Sequence, residues 1–446
     1  MLHRSQKRLA YWHQHALLIN RNYTLLWLGG TVSLIGDTLF TTMLILWIGT
    51  LLHNQSAAPL AVSGMMLAAA LPALLIGPFA GVFVDRWPKQ KTMRTMDALR
   101  AMLVFSLLLI SGPLPLPALA AATKALPLSI KLTVIYLVVA AVSSLSQFFN
   151  PSTKALLKEI VPEEQLTRAS ALSIGTGVFG WAIGSTFAGI CYVYLGAGWA
   201  IALNAASFVC SWALVRRMHV SEPAVAAAAR QEKLRHVFTE LREGLRFIKG
   251  HLLLRTIMLT QSLFQFGWGS LSMLALFYIT QNLHVPMSLF GLFSAVPAIG
   301  GILGTWFVSR YATKIGAARV YYRALIFSGI MVVLSTVPNQ PFIALVGFSL
   351  INITNSQAEV IVGPLILNAT PEKMVGRVFS TLGTVTTISS LLATFLSGYF
   401  SSILLHGVAI HLYTGELNTT NVLNICAGVT ILVSGLHAYR RFRRLR

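Results

Sequence analysis

Along this chain, apolar residues run in stretches of about twenty or more, and the short intervals between them collect the prolines, glycines and charges. The stretches fall near 23–51, 58–84, 93–112, 131–157, 165–194, 198–216, 252–281, 288–310, 319–337, 341–367, 375–405 and 421–439. Each is long enough, as a helix rising about 1.5 Å per residue, to cross roughly 30 Å of hydrocarbon. The pattern predicts an all-α membrane protein of twelve transmembrane helices. Several stretches exceed what a perpendicular helix needs, so tilt or extension beyond the bilayer is expected.

The longest polar interval, 217–251, contains "LRHVFTELREGLRFIKG", in which Leu234, Val237, Phe238, Leu241, Leu245 and Ile248 recur at helical spacing opposite a charged face. It reads as an interfacial amphipathic helix joining two six-helix bundles. The expected organisation is a basic segment 1–22, a bundle 23–216, the linker 217–251, a bundle 252–439 and a basic tail 440–446. The bundles echo each other: "PEEQLTR" (162–168) and "PEKMVGR" (371–377) share Pro, Glu and Arg at the same spacing, and "GVFVDR" (81–86) faces "TWFVSR" (305–310). Two parallel repeats suit bundles that rock about a central substrate cavity.

Charge then sets the orientation. Segments on the face of the termini hold 32 of the 34 Lys and Arg residues, and only Lys124 and Lys131 lie opposite. Basic residues near span ends stay in the cytoplasm, so both termini are expected inside a cytoplasmic membrane. The net charge of +21 is accounted for by this topology and by anionic lipid headgroups, without a nucleic-acid partner. The first residues, "MLHRSQKRLAYWHQHALLINRNY", show no small-residue cleavage site after a short apolar core, so no removable signal is expected. An interfacial segment and an unstructured tail both fit them. Three cysteines, Cys191, Cys210 and Cys426, are odd in number and lie in or beside spans, where they fit small packing residues better than a disulfide framework.

Against this background two acids stand out. Asp37 in "TVSLIGDTLFTTMLIL" and Glu359 in "LINITNSQAEVIVGPLIL" lie deep in spans, and the other eleven of thirteen acids read as loop or span-end residues. A charge at the bilayer centre costs on the order of 3 kcal/mol, so such residues are functional candidates by default. Ser33, Asp37 and Thr41 form one i, i+4, i+8 row, and Asn352, Asn355, Ser356, Glu359 and Gly363 form another. Rows of this kind are expected to face a wet cavity. Glu359 is the first choice for proton coupling, with Asp37 for substrate or shared duty. Other cavity candidates are Gln147 and Asn150 with Ser143, and Gln261, Gln265 and Trp268 at i, i+4, i+7; Gly267 and Gly269 flank that Trp and would loosen the helix.

The stretch "GVFVDRWPKQK" (81–91) resembles the signature between spans 2 and 3 of the major facilitator superfamily, and the resemblance extends over essentially the whole chain. "NRNYTLLWLGGTVSLIGDTLF", "FFNPSTKALLKEIVPEEQLTRASALS", "NAASFVCSWAL" and "LREGLRFI" are similar to the branch that holds macrolide-efflux proteins and enterobactin exporters. In the signature, Gly81 would allow close helix approach, and Asp85 would latch one conformation by pairing with basic groups, with Arg86, Lys89 and Lys91 completing the motif. Pro88 stands where the superfamily has a glycine. Gly180, Gly184 and Gly189 in "IGTGVFGWAIGSTFAG" resemble the glycine-rich antiporter motif, with Ser185 in place of its proline; simple helix packing fits the same residues.

No phosphate-cradling loop, metal-ligand set or nucleophile with its base is present, so ATP drive, a metal site and enzymatic activity are not expected. The resemblance implies a monomeric secondary transporter in the lipid bilayer that exports an amphipathic small molecule and uses protons, through the proton-motive force, without a cofactor. A lysophospholipid carrier of the same superfamily and a non-transporting receptor or scaffold are the alternatives.

Overall fold

A computed structural model describes residues 18–52, 55–84, 86–111, 126–220, 233–405, 409–412 and 415–444. The expectation for the basic N-terminal segment and the Asp85 latch therefore fall largely outside the described residues. The helices, in chain order, are α1 Arg21–Leu51, α2 Ala58–Leu75, α3 Gly77–Val84, α4 Lys89–Ser106, α5 Leu108–Ser111, α6 Leu128–Ile160, α7 Leu166–Leu195, α8 Ala197–Arg216, α9 Lys233–Gly250, α10 Leu252–Phe277, α11 Leu292–Ile315, α12 Ala317–Thr336, α13 Pro341–Ala369, α14 Glu372–Tyr399 and α15 Thr419–Arg443. A short antiparallel hairpin, β1 Ala409–Leu412 and β2 Gly415–Asn418, precedes α15.

Among the described residues, eleven helices are long and apolar enough to cross a membrane, one fewer than the twelve expected. The stretch expected at 93–112 is the difference. It folds as α4 and α5, and α4 carries Lys89, Lys91, Arg94, Asp97 and Arg100, too many charges for a hydropathy criterion. The stretch expected at 58–84 is divided after Leu75, at Pro78, which can donate no hydrogen bond to Leu74 and so interrupts the ladder. One-residue joints at Gly196 (φ 82°) and Gly316 (φ 93°) turn α7 into α8 and α11 into α12. Left-handed backbone of this kind suits glycine because it has no Cβ to clash.

The chain divides into two compact units, one of residues 1–43 and 75–232, the other of 44–74 and 233–446. Residues 44–74 thus go with the second unit, where α2 meets α14: a Cβ at Gly398 would lie 2.6 Å from Ser63 Cβ, and the Leu60 N–H donates to Ser402 Oγ at 2.8 Å. The linker helix α9 also belongs to this unit and is docked on protein. Ile248 is buried in its core, a Cβ on Gly244 would fall 2.7 Å from the Arg377 carbonyl oxygen, and Glu243 pairs with Arg377 at 2.7 Å. The two repeated prolines take nearly the same backbone, φ −56° and ψ 146° at Pro162 and φ −59° and ψ 145° at Pro371. Each stands immediately before a helix start, where the missing N–H is not needed.

Candidate functional site

In the first unit, α1 is drawn onto two neighbours by small residues. On one side, Gly180 and Gly184 of α7 admit it: a Cβ on Gly184 would lie 2.8 Å from the Ile35 carbonyl oxygen and 2.7 Å from Thr38 Cβ. Gly189 is buried farther along the same helix. On the other side, Gly36 of α1 lies against α8, where a Cβ would be 2.8 Å from Ser207 Cβ and 2.9 Å from Asn204 Oδ1. One turn of helix separates such packing from a gap, and Asp37 follows Gly36 directly. Its carboxyl is thereby brought to the amide of Asn204 and into the field of Arg100 and Asp97 on α4.

The pair on α4 is the most enclosed charge cluster among the described residues. Asp97 is 0% exposed and Arg100 2%, and the two form an ion pair three residues apart on one helix face. The Ser211 hydroxyl on α8 donates to the other Asp97 oxygen at 2.7 Å. The Arg100 guanidinium donates to Ser146 Oγ on α6 at 3.3 Å and packs on the rings of Phe149 and Phe208, 4.3 and 4.5 Å from their centroids. Rings of this kind attract a cation with their negative faces. Within this cluster, buried Arg100 Nε has no hydrogen-bond partner, and Asn204 Nδ2 makes none of good geometry although it faces the Asp37 carboxyl.

The row Ser33, Asp37, Thr41 climbs out of this packing. Ser33 is buried at 4% exposure, Asp37 is half-buried and Thr41 is exposed. Thr41 donates to its own helix, at 2.8 Å from the Asp37 carbonyl oxygen. Asp37 is therefore the less enclosed of the two acids of the cluster. On α6, Gln147 is half-buried and donates to the Ser143 carbonyl at 3.2 Å, while Asn150 is exposed.

In the second unit, Glu359 is exposed, with Asn352, Asn355 and Ser356 half-buried on the same face of α13. Among the described residues Glu359 makes no hydrogen bond or ion pair, and the one polar orphan near it is the buried Oδ1 of Asn355. On α10, Gln261, Gln265 and Trp268 are all half-buried, and Trp268 stacks on Phe264 with centroids 6.2 Å apart. The glycines beside Trp268 do not loosen that helix, which is unbroken from Leu252 to Phe277. They are contact points instead, Gly267 against the Ala427 carbonyl at 3.0 Å and Gly269 against Ser390 Cα at 3.0 Å, both measured from a Cβ placed there.

In the signature loop, Gly81 has open space around it, nothing lying within 4 Å of a Cβ at that position. Arg86 and Lys89 are half-buried and Lys91 exposed. Gln90 ties the loop to the end of α8, donating to the Val215 and Met218 carbonyls at 2.8 and 2.9 Å. Sequence reasoning missed Asp97 and Arg100. It placed Asp97 near a span end and counted Arg100 with the basic residues that fix topology. The available signal was the Asp-x-x-Arg spacing inside the stretch 93–112, which turns both charges to one face of a helix.

The sequence profile of the Major Facilitator Superfamily matches residues 26–394 and 257–436. The chain is 24% identical to the uncharacterized MFS-type transporter YfiS of Bacillus subtilis over 81% of this chain and 82% of that protein. Its fold is similar to a bacterial homologue of the iron transporter ferroportin in an inward-facing state, with TM-score 0.71, 15% identity, and coverage of 94% of this chain and 98% of that one. It is likewise similar to the nucleoside transporter NupG, with TM-score 0.71, 11% identity, and coverage of 95% and 100%.

Proposed function

Because the chain belongs to the Major Facilitator Superfamily, we propose that it is a secondary transporter that exports an amphipathic small molecule across the cytoplasmic membrane in exchange for protons. In this reading α4 is the twelfth span, with Asp97 and Arg100 paired within the protein, and both termini are cytoplasmic. The carrier works as a monomer by alternating access, with macrolide-like or siderophore-like compounds as the substrate class. The observation that carries the reading is Asp37, a half-buried acid in the apolar helix α1, set beside Asn204, Asp97 and Arg100. Intramembrane carboxyls in contact with water serve as proton relays. Glu359, exposed and without such a setting, takes second place.

The test is proton movement in inside-out vesicles holding a pH gradient, with macrolides, catecholate siderophores, cationic dyes and lysophospholipids added in turn. Antiport requires that some compound dissipate the gradient through the wild type and fail to do so through Asp37→Asn. A compound that is carried while the gradient stays intact sinks proton coupling and brings the lipid carrier forward.

A divalent metal ion as cargo is a second reading. The Asp37 carboxylate, the Asn204 amide oxygen and the Ser207 hydroxyl are hard oxygen donors gathered at one turn of α1, the kind that suit Mn²⁺. The Arg100 cation within the same cluster weighs against it. Adding Mn²⁺ to the vesicle panel separates the two, since ion uptake that Asp37→Asn abolishes would favour the metal.

A further inference from the structure

We propose that Arg100 is a positioning residue shared by two carboxylates: anchored on Asp97, it turns its free N–H toward Asp37 when Asp37 gives up its proton, and returns wholly to Asp97 when Asp37 is protonated. The inference rests on Asp37 being the proton carrier and names the groups that set its behaviour. It starts from two buried donors. Arg100 Nε is buried and without a partner, and Asn204 Nδ2 makes no hydrogen bond of good geometry; Asn204 already faces the Asp37 carboxyl, and Arg100 acts on it through its charge. Buried donors are nearly always paired. An ionised carboxylate, an acceptor with about four lone-pair sites, is the partner that Arg100 Nε lacks.

The surroundings allow this and little else. The guanidinium is planar with five N–H donors in fixed directions. Those committed so far go to Asp97 and Ser146. Contact with the Phe149 and Phe208 rings at 4.3 and 4.5 Å restrains the plane of the group while leaving a small slide possible. Among the described residues, the charged groups that act on Asp37 are Arg100 and Asp97. The helix α7 meets α1 there through Gly184, and α8 through Asn204 and Ser207, none of them titratable. With both acids ionised the three side chains sum to one negative charge; one proton on Asp37 brings the cluster to neutrality. The proton goes from Asp37 to water and back, and Arg100 keeps its own protons throughout.

Infrared difference spectra of the purified full-length protein in liposomes, titrated with pH, test this directly. The carbonyl band of a protonated carboxyl that disappears in Asp37→Asn reports Asp37. Its midpoint is expected to move toward alkaline pH in Arg100→Gln and toward acid pH in Asp97→Asn, each by about 1–3 pH units, as for a carboxyl losing or gaining one close cation. The double variant Asp97→Asn/Arg100→Gln keeps the net charge and should lie between them. If Arg100→Gln does not fold, Asp97→Asn and the double variant carry the same comparison. A purely structural ion pair would lower yield and leave the midpoint alone. An unmoved midpoint in the folded variants overturns the proposal, as does the lack of any Asp37-dependent band between about pH 4 and 10. Vesicle transport is read separately: a midpoint that moves while no compound moves protons keeps the Arg100 assignment and rejects the antiport reading.

Discussion

Replacing Gly36 by Ala probes the seat of Asp37 without touching a charge. The new Cβ would lie 2.8 Å from Ser207 Cβ and 2.9 Å from Asn204 Oδ1, against the 3.4 Å at which ordinary contacts begin. Either α8 moves off α1 by about half an ångström, or Ser207 and Asn204 shift and disturb the amide beside Asp37. Overpacking of this size costs about 1–3 kcal/mol. The control is Gly30→Ala on the same helix, where a Cβ meets nothing within 4 Å. Both exchanges gain the same helix propensity, about 0.5–1 kcal/mol, so that gain cancels and the difference isolates the clash. Thermal unfolding in detergent at one fixed scan rate is the assay, because unfolding of such a protein is expected to be irreversible. Gly36→Ala should melt several degrees below Gly30→Ala, at roughly 2 °C per kcal/mol for a large chain. Adding Ser207→Gly should recover part of the loss. Equal melting of the two alanine variants would mean that α1 and α8 do not approach this closely and that Asn204 is not beside Asp37.

Other predictions follow from the second unit and the cysteines. Asn421 is 0% exposed and donates to Asn339 Oδ1 at 2.8 Å and to the Thr336 carbonyl at 3.3 Å, besides accepting from Asn282; Asn421→Ala should lower stability by about 3 kcal/mol by stranding these groups, read as a lower melting temperature. Arg377 and Glu243 are about 40% exposed, so Arg377→Gln should cost no more than about 1 kcal/mol, and less at high salt. Cys191, Cys210 and Cys426 are free, so reductant should leave electrophoretic mobility unchanged and the triple Ser variant should transport as the wild type does.

Much of the fold was legible because the bilayer imposes a length rule on every apolar stretch, and the stretches at 198–216 and 319–337 match α8 and α12 to within two residues. The repeat was legible for a local reason as well: Pro162 and Pro371 sit just before helix starts, where proline's fixed φ is useful. Hydropathy failed where charge is satisfied inside the protein. In α4, Asp97 and Arg100 look like interruptions of a span when each residue is weighed alone. The partners that make them tolerable, Ser146, Phe149, Phe208 and Ser211, come from α6 and α8, and no one-dimensional pattern announces them. The glycines of α10 were misread for a related reason. A glycine loosens an isolated helix, but Gly267 and Gly269 are held by α15 and α14, and packing decides what the missing Cβ does.

In the proposed cycle Asp37 exchanges a proton for substrate. This exchange is tested most directly by adding a transported compound to the purified protein in weakly buffered solution and following the pH. Proton release is expected from the wild type and from Glu359→Gln, and none from Asp37→Asn that still binds the compound. Undiminished release from Asp37→Asn would contradict it.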